Sequence, residues 1–365
     1  MKAKKSLFLG LITFILAVKS SPLSAQKDSA KKDHLLLFPV IAKSIETGWE
    51  FGGASSFTFH TNKNDTSSRT SSIQAVAIYS TRKQIVAAIN GTQYFKKEKF
   101  ILTEQFSYSS FPDQFWGLGK NTPDSAVEPY QFQQFYIYAH LMRKIAPKLF
   151  VGGIFEFQNV WDIQYVKGGL FDKENIPGRN GYRVSGLGAS ITYDSRNDAF
   201  APSQGFFAQF FFNHFNPIFG SDFTYTNLVV DLRKFIPIKK GQVLALQLYS
   251  FNNSGVDIPI RSLAALGGAS QMRGFYSGRY RDHQQMVTQA EYRVAIKKRL
   301  GIVAFGGVGN VNKQFSDASF EHLKYSYGAG IRFALNKSEK LNIRLDYGIG
   351  GGNNRGFYLQ LGEAF

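Results

Sequence analysis

Three arginines, Arg273, Arg279 and Arg281, fall within nine residues of the stretch Leu266-Gly267-Gly268-Ala269-Ser270-Gln271-Met272-Arg273-Gly274-Phe275-Tyr276-Ser277-Gly278-Arg279-Tyr280-Arg281-Asp282. A guanidinium taken out of water needs a carboxylate or carbonyls to offset lost hydration, and its planar fork suits a bidentate acid. Two acids are placed to supply one. In Gln289-Ala290-Glu291-Tyr292-Arg293, period-two alternation puts Glu291 on the polar face with Gln289 and Arg293. In Arg344-Leu345-Asp346-Tyr347-Gly348, Asp346 shares a polar face with Asn342, Arg344 and Gly348. The chemistry implied is ion pairing that pins a loop. Arg273 is expected to pair with Glu291; the alternative is that it bonds only carbonyls of its own loop.

Bond-making chemistry finds little support. The histidines (His34, His60, His140, His214, His283, His322) are isolated, without metal-ligand spacing. No Ser/His/Asn or Asp/His motif is visible, although a cluster assembled across strands would leave none. Gly328-Ala329-Gly330 sits in a strand pattern with no helix after it, so it is no phosphate loop. The sequence names no catalytic residue, and no metal or cofactor is expected.

The elements that would position the loop alternate with period two. In 324–335, Tyr325, Tyr327, Ala329, Ile331, Phe333 and Leu335 share one face, with Ser326, Gly328, Gly330 and Arg332 opposite; 341–349 repeats the pattern. Charges embedded mid-strand among small residues suit a crowded polar lumen, with the apolar face toward lipid and tyrosines at the interface. Fifteen such segments can be counted. Single-chain bacterial barrels have an even strand number, so sixteen is expected, with the missed strand placed in 111–129 or 163–183. The fold class is therefore an all-β, transmembrane antiparallel β-barrel with the long loop folded into its lumen. The 35 phenylalanines, 18 tyrosines and 35 glycines fit this better than helical spans, as does the lack of a long apolar run after the first twenty residues.

The N-terminus reads as a targeting segment: Lys2, Lys4 and Lys5, then an apolar Leu7 to Val18, then Leu23-Ser24-Ala25 before Gln26. The expected organisation is a signal peptide over 1–25, a short periplasmic leader over 26–44 and an outer-membrane barrel over 45–365; an uncleaved anchor is the alternative for the first segment. Export usually permits disulfides, yet the chain has no cysteine. The net charge of +17 lacks a dense basic block beyond the N-terminal lysines, which favours a charged rim facing anionic lipid headgroups over nucleic-acid binding.

Several stretches resemble the BamA/TamA (bacterial surface antigen) family, in a short form without POTRA domains. Gly267, Gly268, Arg273, Gly274 and Phe275 resemble the tip of the family's lumen loop, with Glu291 and Asp346 as candidate partners of its arginine. Relatives often carry a second acid on the following strand; here that region reads Phe305-Gly306-Gly307-Val308-Gly309, leaving Asp346 as the substitute. Asp194, Arg196, Pro202 and Gly205 resemble a periplasmic turn, for which a structural role suffices. Phe357, Leu359, Leu361 and Phe365 resemble a C-terminal assembly signal sharing one face, with Glu363 falling on that apolar face. The resemblance implies insertion or translocation of polypeptides at the outer membrane through a seam between first and last strands. The implied partners are outer-membrane lipid and lipopolysaccharide, the barrel assembly machinery for the chain's own insertion, and client polypeptides or a periplasmic helper. A passive pore, or a structural or lipid-handling barrel, is the alternative.

Overall fold

The computed structural model describes residues 33–62, 64, 68–317, 321–336 and 341–365. The expected signal peptide and residues 26–32 of the expected leader lie outside the described residues. Sixteen antiparallel strands form the wall. They are β1 (His34–Ser44), β2 (Gly48–Phe59), β3 (Ser71–Ser80), β4 (Ile85–Phe95), β5 (Phe100–Phe115), β6 (Glu128–Ala146), β7 (Leu149–Gln164), β8 (Tyr182–Asp194), β9 (Gly205–Phe215), β10 (Tyr225–Lys239), β11 (Gln242–Ser254), β14 (Gln284–Ala295), β15 (Leu300–Asn312), β16 (Lys324–Asn336), β17 (Leu341–Gly350) and β18 (Arg355–Leu361). Each pairs with its neighbour in sequence, except that β11 pairs directly with β14. The connection between those two carries a separate small hairpin, β12 (Ala264–Leu266) against β13 (Tyr280–Asp282).

The wall is inside-out relative to a water-soluble sandwich. On β16, Tyr325 is 55% exposed while Arg332 is 5% exposed; on β17, Leu345 is 43% exposed while Asp346 is fully buried. An apolar outer face with charged residues inside is the pattern of a barrel whose solvent outside is lipid. No described helix is long and apolar enough to cross a membrane. The hairpins differ in length by end. Turns such as those after β6 and β10 take two residues, whereas connections at the other end include 116–127, 165–181, 216–224 and 255–283.

Two expectations are corrected. The sixteenth strand is not in 111–129 or 163–183 but is β1, so residues 34–44 belong to the wall and not to a leader. Its run Leu35-Leu36-Leu37-Phe38-Pro39 hides the alternation, and proline argues against a central strand. At β1 proline is tolerated, because β1 has a ladder partner on one side only and its free edge needs no N–H there. Leu37 points outward and is 73% exposed. Residues 111–115 and 128–129 instead extend β5 and β6, and 165–181 form a loop carrying a short helix, α1 (Leu170–Lys173). That loop and residues 255–263 pack over the barrel mouth through Phe171, Ile176, Ile258 and Ile260, all buried against Phe115, Tyr130 and Tyr182 of the wall.

Candidate functional site: the lumen loop and the seam

The long connection after β11 enters the barrel and seats its tip against β17. Two glycines on opposite partners make the approach possible. Gly274 has φ +119°, and a Cβ there would lie 2.6 Å from the Gly350 N; a Cβ on Gly348 would lie 2.5 Å from the Arg273 carbonyl oxygen. Backbone meets backbone at that point, so neither position has room for a side chain. Gly267 and Gly268 also lie at positive φ, 114° and 104°, where the chain turns from β12 into the tip.

This close approach delivers Arg273 to the acids. Its Nη2 donates to Glu291 Oε2 at 2.7 Å and its Nη1 to Asp346 Oδ2 at 2.6 Å, with the guanidinium 3.5 Å above the Phe305 ring centroid. Arg273 is 1% exposed, and both acids are fully buried. Burying ions is costly unless each is paired and hydrogen-bonded, and here the wall shares the load. Arg293 Nε bonds Glu291 Oε1 at 2.7 Å, Arg332 Nη1 bonds Asp346 Oδ1 at 2.5 Å, and Arg344 Nη1 bonds Asp346 Oδ2 at 3.1 Å. Arg344 Nη1 also donates to the Ala269 carbonyl at 3.0 Å, tying the loop's descending limb to β17. The other loop arginines face away from this cluster. Arg279 Nη2 lies 2.6 Å from Asp124 Oδ1, and Arg281 Nη2 lies 3.3 Å from Asp113 Oδ2, so the loop also grips β5 and the connection after it.

The tip touches both sides of a gap in the wall. Among the described residues no backbone ladder joins β1 to β18. On the β18 side, Tyr358 Oη accepts from the Gly274 N–H at 2.9 Å and donates to the Phe275 carbonyl at 3.0 Å. On the β1 side, Glu46, in the turn between β1 and β2, accepts from the Ser277 N–H at 2.9 Å. Burial raises the Glu46 carboxyl above the ordinary carboxylate range. Ile45 in the same turn packs on Gly356, where an added Cβ would meet its Cγ2 at 2.7 Å. Three loop residues, Gly274, Phe275 and Ser277, thus bridge a seam that the sheet does not close.

The remaining expected residues sit apart. Asp194 accepts from the Arg196 N–H and Nε at 3.1 and 2.9 Å, Gly205 turns at φ +113°, and the Pro202 carbonyl faces Arg293 Nη1 at 3.5 Å. Sequence reasoning missed Arg69, which reaches from the connection after β2 to Asp194 Oδ2 at 2.5 Å and to Glu98. The face expected for Phe365 and Glu363 is corrected. Phe357 faces outward at 51% exposure, but β18 ends at Leu361, Gly362 turns at φ +80°, and Phe365 is 5% exposed against Phe235 and Ala245 inside the barrel. Glu363 does not lie on the apolar face; its Oε2 lies 2.7 Å from Arg332 Nε, and its Oε1 accepts from Asn342 Nδ2 at 2.7 Å. A carboxylate beside Arg332 Nε and Asn342 Nδ2 gains more by turning in than by facing lipid.

Residues 162–365 match the Omp85 superfamily domain. The chain belongs to the Omp85 superfamily. Within it the barrel is BamA/TamA-like, and solved structures of the family share its fold. BamA from Haemophilus ducreyi lacking POTRA domains 1-3 superposes at TM-score 0.57 and 13% identity, over 90% of this chain and 70% of that one. CdiB from Acinetobacter baumannii gives 0.59 at 12% identity over 90% and 59%, and CdiB from Escherichia coli gives 0.55 at 10% over 93% and 63%. The chain spans less than two thirds of either CdiB chain. At these identities the likeness is one of fold. No curated protein matches the sequence significantly.

Proposed function

We propose that this Omp85 barrel resides in the bacterial outer membrane and inserts or translocates polypeptides there, using the seam between β1 and β18. The observation that carries the reading is the unladdered seam bridged by the loop tip, with Tyr358 on one side and Glu46 on the other. Edge strands present unpaired N–H and C=O groups, which are a template for an incoming strand. A wall closed by a full ladder would have to lose many backbone bonds to open. This one is held at the seam's loop end by a few side-chain contacts, and the Arg273 cluster fixes the loop that supplies them.

The loop and the aromatic cluster over the mouth also disfavour a passive pore. The test is reconstitution of the barrel and of a variant lacking Met272–Arg281 in liposomes, scoring protease-protected insertion of an unfolded client barrel. The parent should accelerate insertion over empty liposomes, and the deletion should return it to the spontaneous rate. A parent that inserts no faster than empty liposomes, or that shows steady open conductance in planar bilayers, would overturn the reading in favour of a pore; equal acceleration by both would remove the loop from it.

A further inference from the structure

Residues 362–365 leave the wall and cross the lumen at the end with the short turns. Gly362 N–H still donates to the Asn342 carbonyl at 2.8 Å; beyond it the segment is held by side chains. Glu363 is gripped by Arg332 and Asn342, with Arg293 Nε at 3.8 Å from its Oε2. Arg293 Nη2 donates to the Phe365 carbonyl at 3.0 Å, and its guanidinium lies 5.6 Å from the Phe365 ring centroid. The ring fills a slot between Phe235 of β10 and Ala245 of β11, beside Val243. Ala245 lies directly across from Phe235 on β10 and Glu291 on β14, and its small side chain leaves room for the ring.

We propose that this groove is a peptide-binding site, filled at rest by the chain's own residues 363–365, that accepts from a client polypeptide an acidic residue followed two positions later by an aromatic one. Three features specify that ligand: Arg332 and Asn342 select the carboxylate, the slot over Ala245 selects a flat ring, and Arg293 fixes the spacing by meeting both the backbone and the ring. The occupant can leave without breaking the sheet, because the β17–β18 pairing ends at Leu361. A client segment of the same chemistry then competes with the resident one, and its arrival frees the end of β18 next to the seam. The client as source rests on the insertion reading; the groove does not.

The test uses an amino-terminally labelled Gly-Glu-Ala-Phe peptide and fluorescence anisotropy on the folded, detergent-solubilised chain. The double variant Glu363→Ala/Phe365→Ala, which vacates the groove, should bind the peptide at least about tenfold more tightly than the parent. Gly-Lys-Ala-Phe and Gly-Glu-Ala-Ala should each lose about tenfold or more, and adding Ala245→Leu to the double variant should abolish binding. A folded double variant that binds no better than the parent, or that binds all peptides alike, overturns the proposal. Should that variant fail to fold, Ala364→Cys carrying a nitroxide in the otherwise intact chain gives a second reading. Its spectrum should sharpen on adding excess Gly-Glu-Ala-Phe and not Gly-Lys-Ala-Phe; an unchanged spectrum refutes displacement. Peptide binding without client insertion in liposomes would sink the insertion reading and leave the groove standing.

Discussion

Replacing Arg273 by alanine removes two buried charge-assisted hydrogen bonds, at 2.7 and 2.6 Å, and a stacking contact on Phe305. Breaking a buried ion pair from one side costs about 3–5 kcal/mol, because it strands the partner charge. Here neither acid is stranded: Glu291 keeps Arg293, and Asp346 keeps Arg332 and Arg344. The cost should therefore fall at the low end, about 3 kcal/mol, which shifts the equilibrium between docked and undocked loop by about 100-fold. Trypsin reads that population directly. Arg279 and Arg281 are buried cleavage sites in the docked loop, and when reclosing outpaces cleavage the rate follows the open fraction. Cleavage in 273–281 should accelerate by roughly two orders of magnitude, while the heat-modifiable gel shift of the folded barrel persists. A rate within about twofold of the parent would mean that the arginine does not hold the loop. A reciprocal swap of Arg273 and Glu291 is a poor substitute for this test, since an arginine at 291 would face Arg293 and Arg332. The pair is better isolated by a cycle of Arg273→Met and Glu291→Gln, for which coupling above about 1 kcal/mol is expected.

Other outcomes follow from the same geometry. Gly274→Ala and Gly348→Ala should both unseat the loop, with backbone strain of about 1–3 kcal/mol plus the contact with Gly350 in the first case; matching trypsin sensitivity from a loop and a wall position would confirm the shared approach, and normal protection of either would refute it. Because burial raises the Glu46 carboxyl, its protonated form is favoured in the fold. Its contribution is fully present below the unfolded value of about 4.3 and is lost as pH rises through the folded value. Melting midpoints of the parent should accordingly fall relative to Glu46→Gln as pH rises out of the acid range, and a pH-independent difference would contradict this. Leu37→Arg, on the outward face of β1, should cost up to about 2–4 kcal/mol in folding titrations in lipid vesicles, whereas a leader residue outside the wall would tolerate it.

Much of this architecture is legible in residue order, and the failures have physical causes. Alternation alone places Glu291 and Asp346 in the lumen, because on a strand a residue's parity decides its side of the sheet. The same parity rule fails at the end of the chain, past Gly362: once the backbone takes φ +80° the alternation no longer counts, and Phe365 turns in. β1 was hidden by a continuous apolar run and by Pro39, whose tolerance depends on being beside the seam, a fact about closure and not about the strand itself. The aromatic cover over the mouth draws Phe171 and Ile258 from loops that have no period to read. The bridge from Ser277 to Glu46 spans 231 residues and exists only because the barrel curls back on its first strand.

The central claim is that the seam opens. The chain has no cysteine, so Ile45→Cys with Gly356→Cys, placed where Ile45 packs on Gly356, can lock the two sides by a single disulfide. The oxidised barrel should keep its heat-modifiable fold yet lose client insertion in liposomes, and reduction should restore it. Insertion at the same rate whether the seam is locked or free would contradict the account.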